Sequence, residues 1–124
     1  MRYEIRERED GKKAIFDENG KQISQWFDSI GLYGLVSGQS KYYIAKANKG
    51  EKFAVYDVYG NQISPEMFDM VFPEGLLKGQ SEYYLAVSEI NGEIKFAIFD
   101  VNGNQITKGW FDWVYTFGLV EGKS

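Results

Sequence analysis

Phe53-Ala54-Val55-Tyr56-Asp57-Val58-Tyr59-Gly60-Asn61-Gln62-Ile63 is the stretch on which the fold turns. Successive side chains of an extended backbone point to opposite faces, so Phe53 and Val55 share one face and Ala54 and Tyr56 the other. Both faces are apolar. A sheet with one wetted face alternates apolar with polar residues, so this strand is expected to be covered on both sides. Asp57 and Gly60 then read as a tight turn, because the Asp carboxylate accepts backbone amides and Gly takes the positive φ such turns require. Gln62 and Ile63 resume the extended chain.

The same stretch occurs twice more. Lys13, Ala14, Ile15, Phe16 and Asp17 precede Gly20, Gln22 and Ile23, and Phe96, Ala97, Ile98, Phe99 and Asp100 precede Gly103, Gln105 and Ile106. Each copy runs on to a Phe-Asp pair (Phe27-Asp28, Phe68-Asp69, Phe111-Asp112), then to Gly-Leu at Gly34, Gly75 and Gly118, and closes on Ser40, Ser81 or Ser124. Self-similarity of this kind predicts modular architecture. The chain divides into three tandem units, 1–40, 41–81 and 82–124, within one domain. Tyr-rich segments open the second and third units at Tyr42 and Tyr83. In the second, Lys41 to Lys46, a turn at Asn48 to Gly50, Lys52 to Asp57, and Gln62-Ile63 predict a meander. Gly75, Leu76 and Leu77 supply a fourth short apolar run. No helical period is visible.

The fold class is therefore all-β: three antiparallel β-meander repeats of about 41 residues, blade-like, and either stacked face to face or closed into a ring. Ring closure would pair the C-terminal strand with the first unit, in the same chain or in a second copy. A β-trefoil, which also uses three such units, is the alternative; two-faced burial of the middle strand argues against it.

The run Phe-Ala-Val-Tyr-Asp-x-x-Gly-Asn-Gln-Ile, followed by Phe-Asp and Gly-Leu, resembles the WG-repeat family of bacterial proteins over essentially the whole chain. Lys13-Ala14, Phe53-Ala54 and Phe96-Ala97 stand where that family has its Trp-Gly pair. More loosely, a hairpin ending in aromatic-Asp before a turn is similar to a WD-repeat propeller blade. The resemblance implies an all-β repeat protein that binds or scaffolds, and it brings no catalytic residues with it.

Composition removes whole classes of function. The 124 residues contain no His and no Cys, which excludes Ser-His-Asp and Cys-His catalysis, imidazole or thiolate metal sites, and disulfides. Eighteen acidic against fourteen basic residues give a net charge of -4, so no positive field exists to attract nucleic acid. The Arg2 to Asp10 segment has neither the apolar core of a secretory signal nor the acid-poor character of a transit peptide, and no stretch is long and apolar enough for a membrane span. A cytoplasmic location is favoured on that basis. The mixed charges of this segment read as a solvated edge strand.

Residues that differ between the copies are the better site candidates, since folding does not demand them. Trp110, Asp112, Trp113 and Tyr115 in the third unit, with Trp26 in the first, form the candidate binding set: two indoles flanking a carboxylate suit stacking on a sugar ring or gripping a partner's side chain. Core packing is the competing role for each indole. Asp28, Asp69 and Asp112 could converge on a cation or a sugar hydroxyl, but a residue present in every unit is better explained by its own turn. A carboxylate pair such as Asp112 and Glu121 has no spacing to recommend it as catalytic machinery. The expectation is a non-catalytic binding or scaffolding module without cofactor or metal. Its expected partner is a protein or a second copy of the chain; a glycan bound through the Trp residues is the alternative.

Overall fold

The computed structural model describes residues 2–31, 40–72 and 81–114. The Gly-Leu segments at Gly34, Gly75 and Gly118, together with Tyr115, Glu121 and Ser124, lie outside the described residues. The described chain is all-β, with eight strands and no helix. They are β1 (Tyr3–Glu7), β2 (Lys13–Asp17), β3 (Ser29–Gly31), β4 (Tyr42–Lys46), β5 (Ala54–Asp57), β6 (Met70–Phe72), β7 (Tyr83–Ile90) and β8 (Glu93–Asp100). Three small antiparallel sheets result, ordered β1-β2, β3-β4-β5 and β6-β7-β8.

Each sheet is built round one hairpin whose first strand opens on a Tyr. Tyr3 faces Asp17, Tyr42 faces Asp57 and Tyr83 faces Asp100, so the three hairpins share one register. The longest, β7–β8, closes through Asn91 and Gly92 with φ of 53° and 82°. Positive φ at both central residues gives the turn whose twist matches that of the flanking strands.

The third strand of the expected meander takes a different course. After the Asp-Gly turn the chain touches the hairpin only at paired bridges: Phe16 with Gln22 and Lys13 with Phe27, Tyr56 with Gln62 and Phe53 with Phe68, Phe99 with Gln105 and Phe96 with Phe111. Between the bridges a side chain takes over the ladder. The amides of Ile15, Val55 and Ile98 donate to the hydroxyls of Ser24 (2.8 Å), Ser64 (3.1 Å) and Thr107 (3.4 Å). The backbone is thus freed to arch away and return. Immediately after the Phe-Asp pair, β3 and β6 hydrogen-bond to the Tyr-rich strand that follows them in sequence, β4 and β7. Two of the three sheets therefore cross the boundaries at 40 and 81.

Ser64 is buried, and its Val55 partner is fully buried, so the hydroxyl holds an amide that water cannot reach. Ser64→Ala is expected to cost about 1–3 kcal/mol in urea denaturation, the penalty for stranding a buried donor.

The middle strand is covered on both faces. Ala54 and Tyr56 pack with Ile15, Phe27, Ile30, Tyr43 and Ala45, whereas Val55 packs with Phe68, Val71, Tyr84, Ala86, Ala97 and Phe99. β5 thus separates two cores. A third, smaller cluster of Leu85 and Ile98, with Phe96 and Val114 against it, lies on the other face of the β7–β8 hairpin. Burial pushes the Tyr43 and Tyr84 phenols far above the usual range. The Tyr84 hydroxyl is buried without a hydrogen-bond partner. Removing an unsatisfied polar atom relieves its desolvation cost, so Tyr84→Phe is expected to leave stability unchanged or raise it by up to about 1 kcal/mol in the same denaturation assay.

Candidate functional site

The three turn aspartates are occupied structurally. One carboxylate oxygen of Asp17 accepts the amides of Asn19 and Lys21, that of Asp57 the amides of Tyr59 and Asn61, and that of Asp100 the amides of Asn102 and Asn104. The Asn61 and Asn104 side chains add a further bond to the second oxygen. At Asp100 burial favours the neutral acid, but these hydrogen bonds outweigh it and hold the carboxyl below the usual range. Gly60 completes its turn with φ of 88°, a value that a side chain would strain.

The Phe-Asp aspartates do not converge. Asp69 accepts the Glu89 amide at 2.7 Å, bracing β6 against the strand it joins. Asp112 is solvent-exposed and pairs with Lys95, which also reaches Glu93. Among the described residues, no group of three or more acidic side chains is placed to hold a metal ion.

The Trp residues go to three different environments. Trp110 is half-buried in the second core, its ring 6.0 Å from Phe68 and 5.8 Å from Phe99. Trp113 is 69% exposed and meets Phe96 edge-on at 5.5 Å. Trp26 meets Phe16 edge-on at 6.1 Å and carries the Arg8 guanidinium over its face at 4.8 Å, next to Arg6 over Phe16 at 4.3 Å. The two indoles of the third unit therefore do not form one platform around Asp112. Tyr115 lies outside the described residues.

Two surfaces stand out. On the first, Glu4 and Arg6 occupy the register positions that Tyr43 and Ala45, and Tyr84 and Ala86, hold in the other sheets. The outer face of the first sheet is thereby polar, closed by the two guanidinium groups over Phe16 and Trp26, with Asp10 held at about 2 by its hydrogen bond from Arg8. On the second, Phe111 is 46% exposed while its counterparts Phe27 and Phe68 are 1% and 0% exposed. Those two are covered by the following Tyr-rich strand, Phe27 against Tyr43 at 6.1 Å and Phe68 against Tyr84 at 6.2 Å. Ile94 and Trp113 extend the apolar character of the Phe111 end.

A pocket of about 230 Å³ opens between the first Gln-Ile-Ser segment and the second Asp-Gly turn, floored by Phe27, Tyr43 and Tyr56. None of the Trp residues lines it. The sequence signal that could have exposed it is the exchange of Met67 for Trp110 at matched positions.

No helix among the described residues is long and apolar enough to cross a membrane. In comparisons with known proteins, the chain matches no protein-family model, no curated protein and no solved structure.

Proposed function

We propose that the chain is a non-catalytic β-repeat module of three blade-like units stacked in sequence order, and that it binds or scaffolds a protein partner through the Phe111 end. The observation that carries this reading is the exposure of Phe111, 46% against 1% and 0% at Phe27 and Phe68. At both inner junctions an extended strand with an aromatic residue and, two positions on, an Ala lies over this phenylalanine: Tyr43 and Ala45, then Tyr84 and Ala86. A partner strand with that pattern would cover Phe111 in the same way, with backbone pairing for affinity and side-chain pockets for specificity.

The test is titration of a synthetic peptide spanning residues 81–90 into the intact protein, followed by Trp fluorescence and NMR. Saturable binding with shifts centred on Phe111 and Trp113, lost in Phe111→Ser, is the expected result. Binding that ignores Phe111→Ser, or none at all, rejects this docking mode. Sedimentation across a concentration range examines self-association in parallel. A second copy offers the edge of β1 that pairs with no described strand, but would place Glu4 and Arg6 on Phe111, which makes it the poorer occupant.

A glycan-binding reading rests on exposed Trp113 beside exposed Asp112. An unchanged Trp emission across a polysaccharide panel would leave it without support.

A further inference from the structure

We infer that the pocket over Phe27, Tyr43 and Tyr56 binds an indole-sized aromatic ring, presented either free or as a side chain of a partner polypeptide. The chain contains its own template for this occupancy. Phe27 and Tyr56 lie 5.0 Å apart at 55°, and their counterparts Phe68 and Phe99 lie 4.9 Å apart at 51°. Tyr43 stacks on Tyr56 at 5.6 Å and 19°, and Tyr84 stacks on Phe99 at 5.9 Å and 12°. The two aromatic floors are near copies. On the second floor the Trp110 ring rests at 6.0 Å and 5.8 Å from its two phenylalanines. At the first, the matched residue is Met67, which is 39% exposed and does not line the pocket. About 230 Å³ stands open there instead.

The rim suits a flat ring with one polar edge. Ile23 adds an apolar residue to the lining, and Ser24, Gln25 and Gln62 add polar ones. Aromatic faces set at an angle to one another favour tilted and edge-on partners, and a small set of polar groups at the rim fixes orientation. This site lies on the first inner junction and is independent of docking at Phe111, so either proposal can fail alone.

The experiment is an NMR titration of the intact protein with indole, and separately with the tripeptide Gly-Trp-Gly. The expected result is saturable shifts of the Ile23 methyl and the Tyr56 ring, with nuclear Overhauser contacts from the indole ring to Phe27 and Tyr56. Met67→Trp, which places an indole where Trp110 has its own, should weaken binding at least tenfold. Tighter binding of the tripeptide identifies a polypeptide source, and tighter binding of indole a free ligand. Shifts centred on Trp113 or Phe111, the absence of contacts to Tyr56 in the unmodified protein, or affinity unchanged in a folded Met67→Trp variant would each overturn the inference. The Overhauser measurement decides the matter without the variant should that chain fail to fold.

Discussion

Phe68→Ala is expected to lower the unfolding free energy by about 3–5 kcal/mol, and Phe111→Ala, the same substitution at the matched position, by less than about 1 kcal/mol. Phe68 is fully buried and meets the rings of Tyr84, Phe99 and Trp110 at 6.2, 4.9 and 6.0 Å. Truncation removes the transfer free energy of a whole ring and leaves a cavity among rigid aromatic neighbours that cannot collapse into it. Phe111 is nearly half exposed, and its backbone bridges to Phe96. A small domain has about 5–15 kcal/mol in total, so the first loss is a large share of the whole. Urea denaturation with the slope held constant separates the two variants. Equal losses would mean that the matched positions share one environment, contrary to the burial difference on which the functional proposal rests.

Asp57→Ala is expected to cost about 1–3 kcal/mol, and Asp17→Ala less. Asp57 is buried and its carboxylate satisfies two backbone amides and the Asn61 side chain, whereas the Asp17 turn has only the two amides and is more open to water. The amides of Tyr59 and Asn61 lose a part-buried, charge-assisted acceptor once the carboxylate is gone. The corresponding turn at Asp100 adds a pH signature. Its folded carboxyl is held below the unfolded value of about 3.9, so its contribution is present above that pH and fades as acid titrates the folded group. Stability should therefore fall below about pH 4, and Asp100→Asn should flatten that part of the profile in urea midpoints measured from neutral to acid pH. An acid limb of the same slope in the variant would assign the effect to other carboxylates.

How far the sequence carried is clearest in the middle strand. Apolar residues on both sides of Phe53 to Tyr56 announced two-sided cover, and the two cores either side of β5 have that origin. The Asp-x-x-Gly turns were equally legible, because their chemistry is local. Strand partners were not. Nothing within a unit says that Ser29–Gly31 and Met70–Phe72 pair with the segment that follows rather than with their own hairpin, since pairing is decided by which edge is free once the core has formed. The hydroxyls of Ser24, Ser64 and Thr107 left a trace in the recurring Gln-Ile-Ser/Thr, but their role appears only where the ladder is interrupted.

The candidate indoles show the same division. Trp110 and Trp113 look alike as a pair round an acidic residue. The backbone bends at Asp112 between them, however, and one ring enters the second core while the other meets solvent. That Phe111 is exposed while Phe27 and Phe68 are covered depends on the next strand in space, which no local pattern reports.

The central claim is that β5 is walled by protein on both sides, and methyl-to-ring nuclear Overhauser contacts read it directly. The Ala54 methyl should report Phe27 or Tyr43, and the Val55 methyls should report Phe68, Tyr84 or Phe99, with no ring common to both sets. Contacts from both residues to a single set of rings, or a methyl at either position in contact with water alone, would contradict the account.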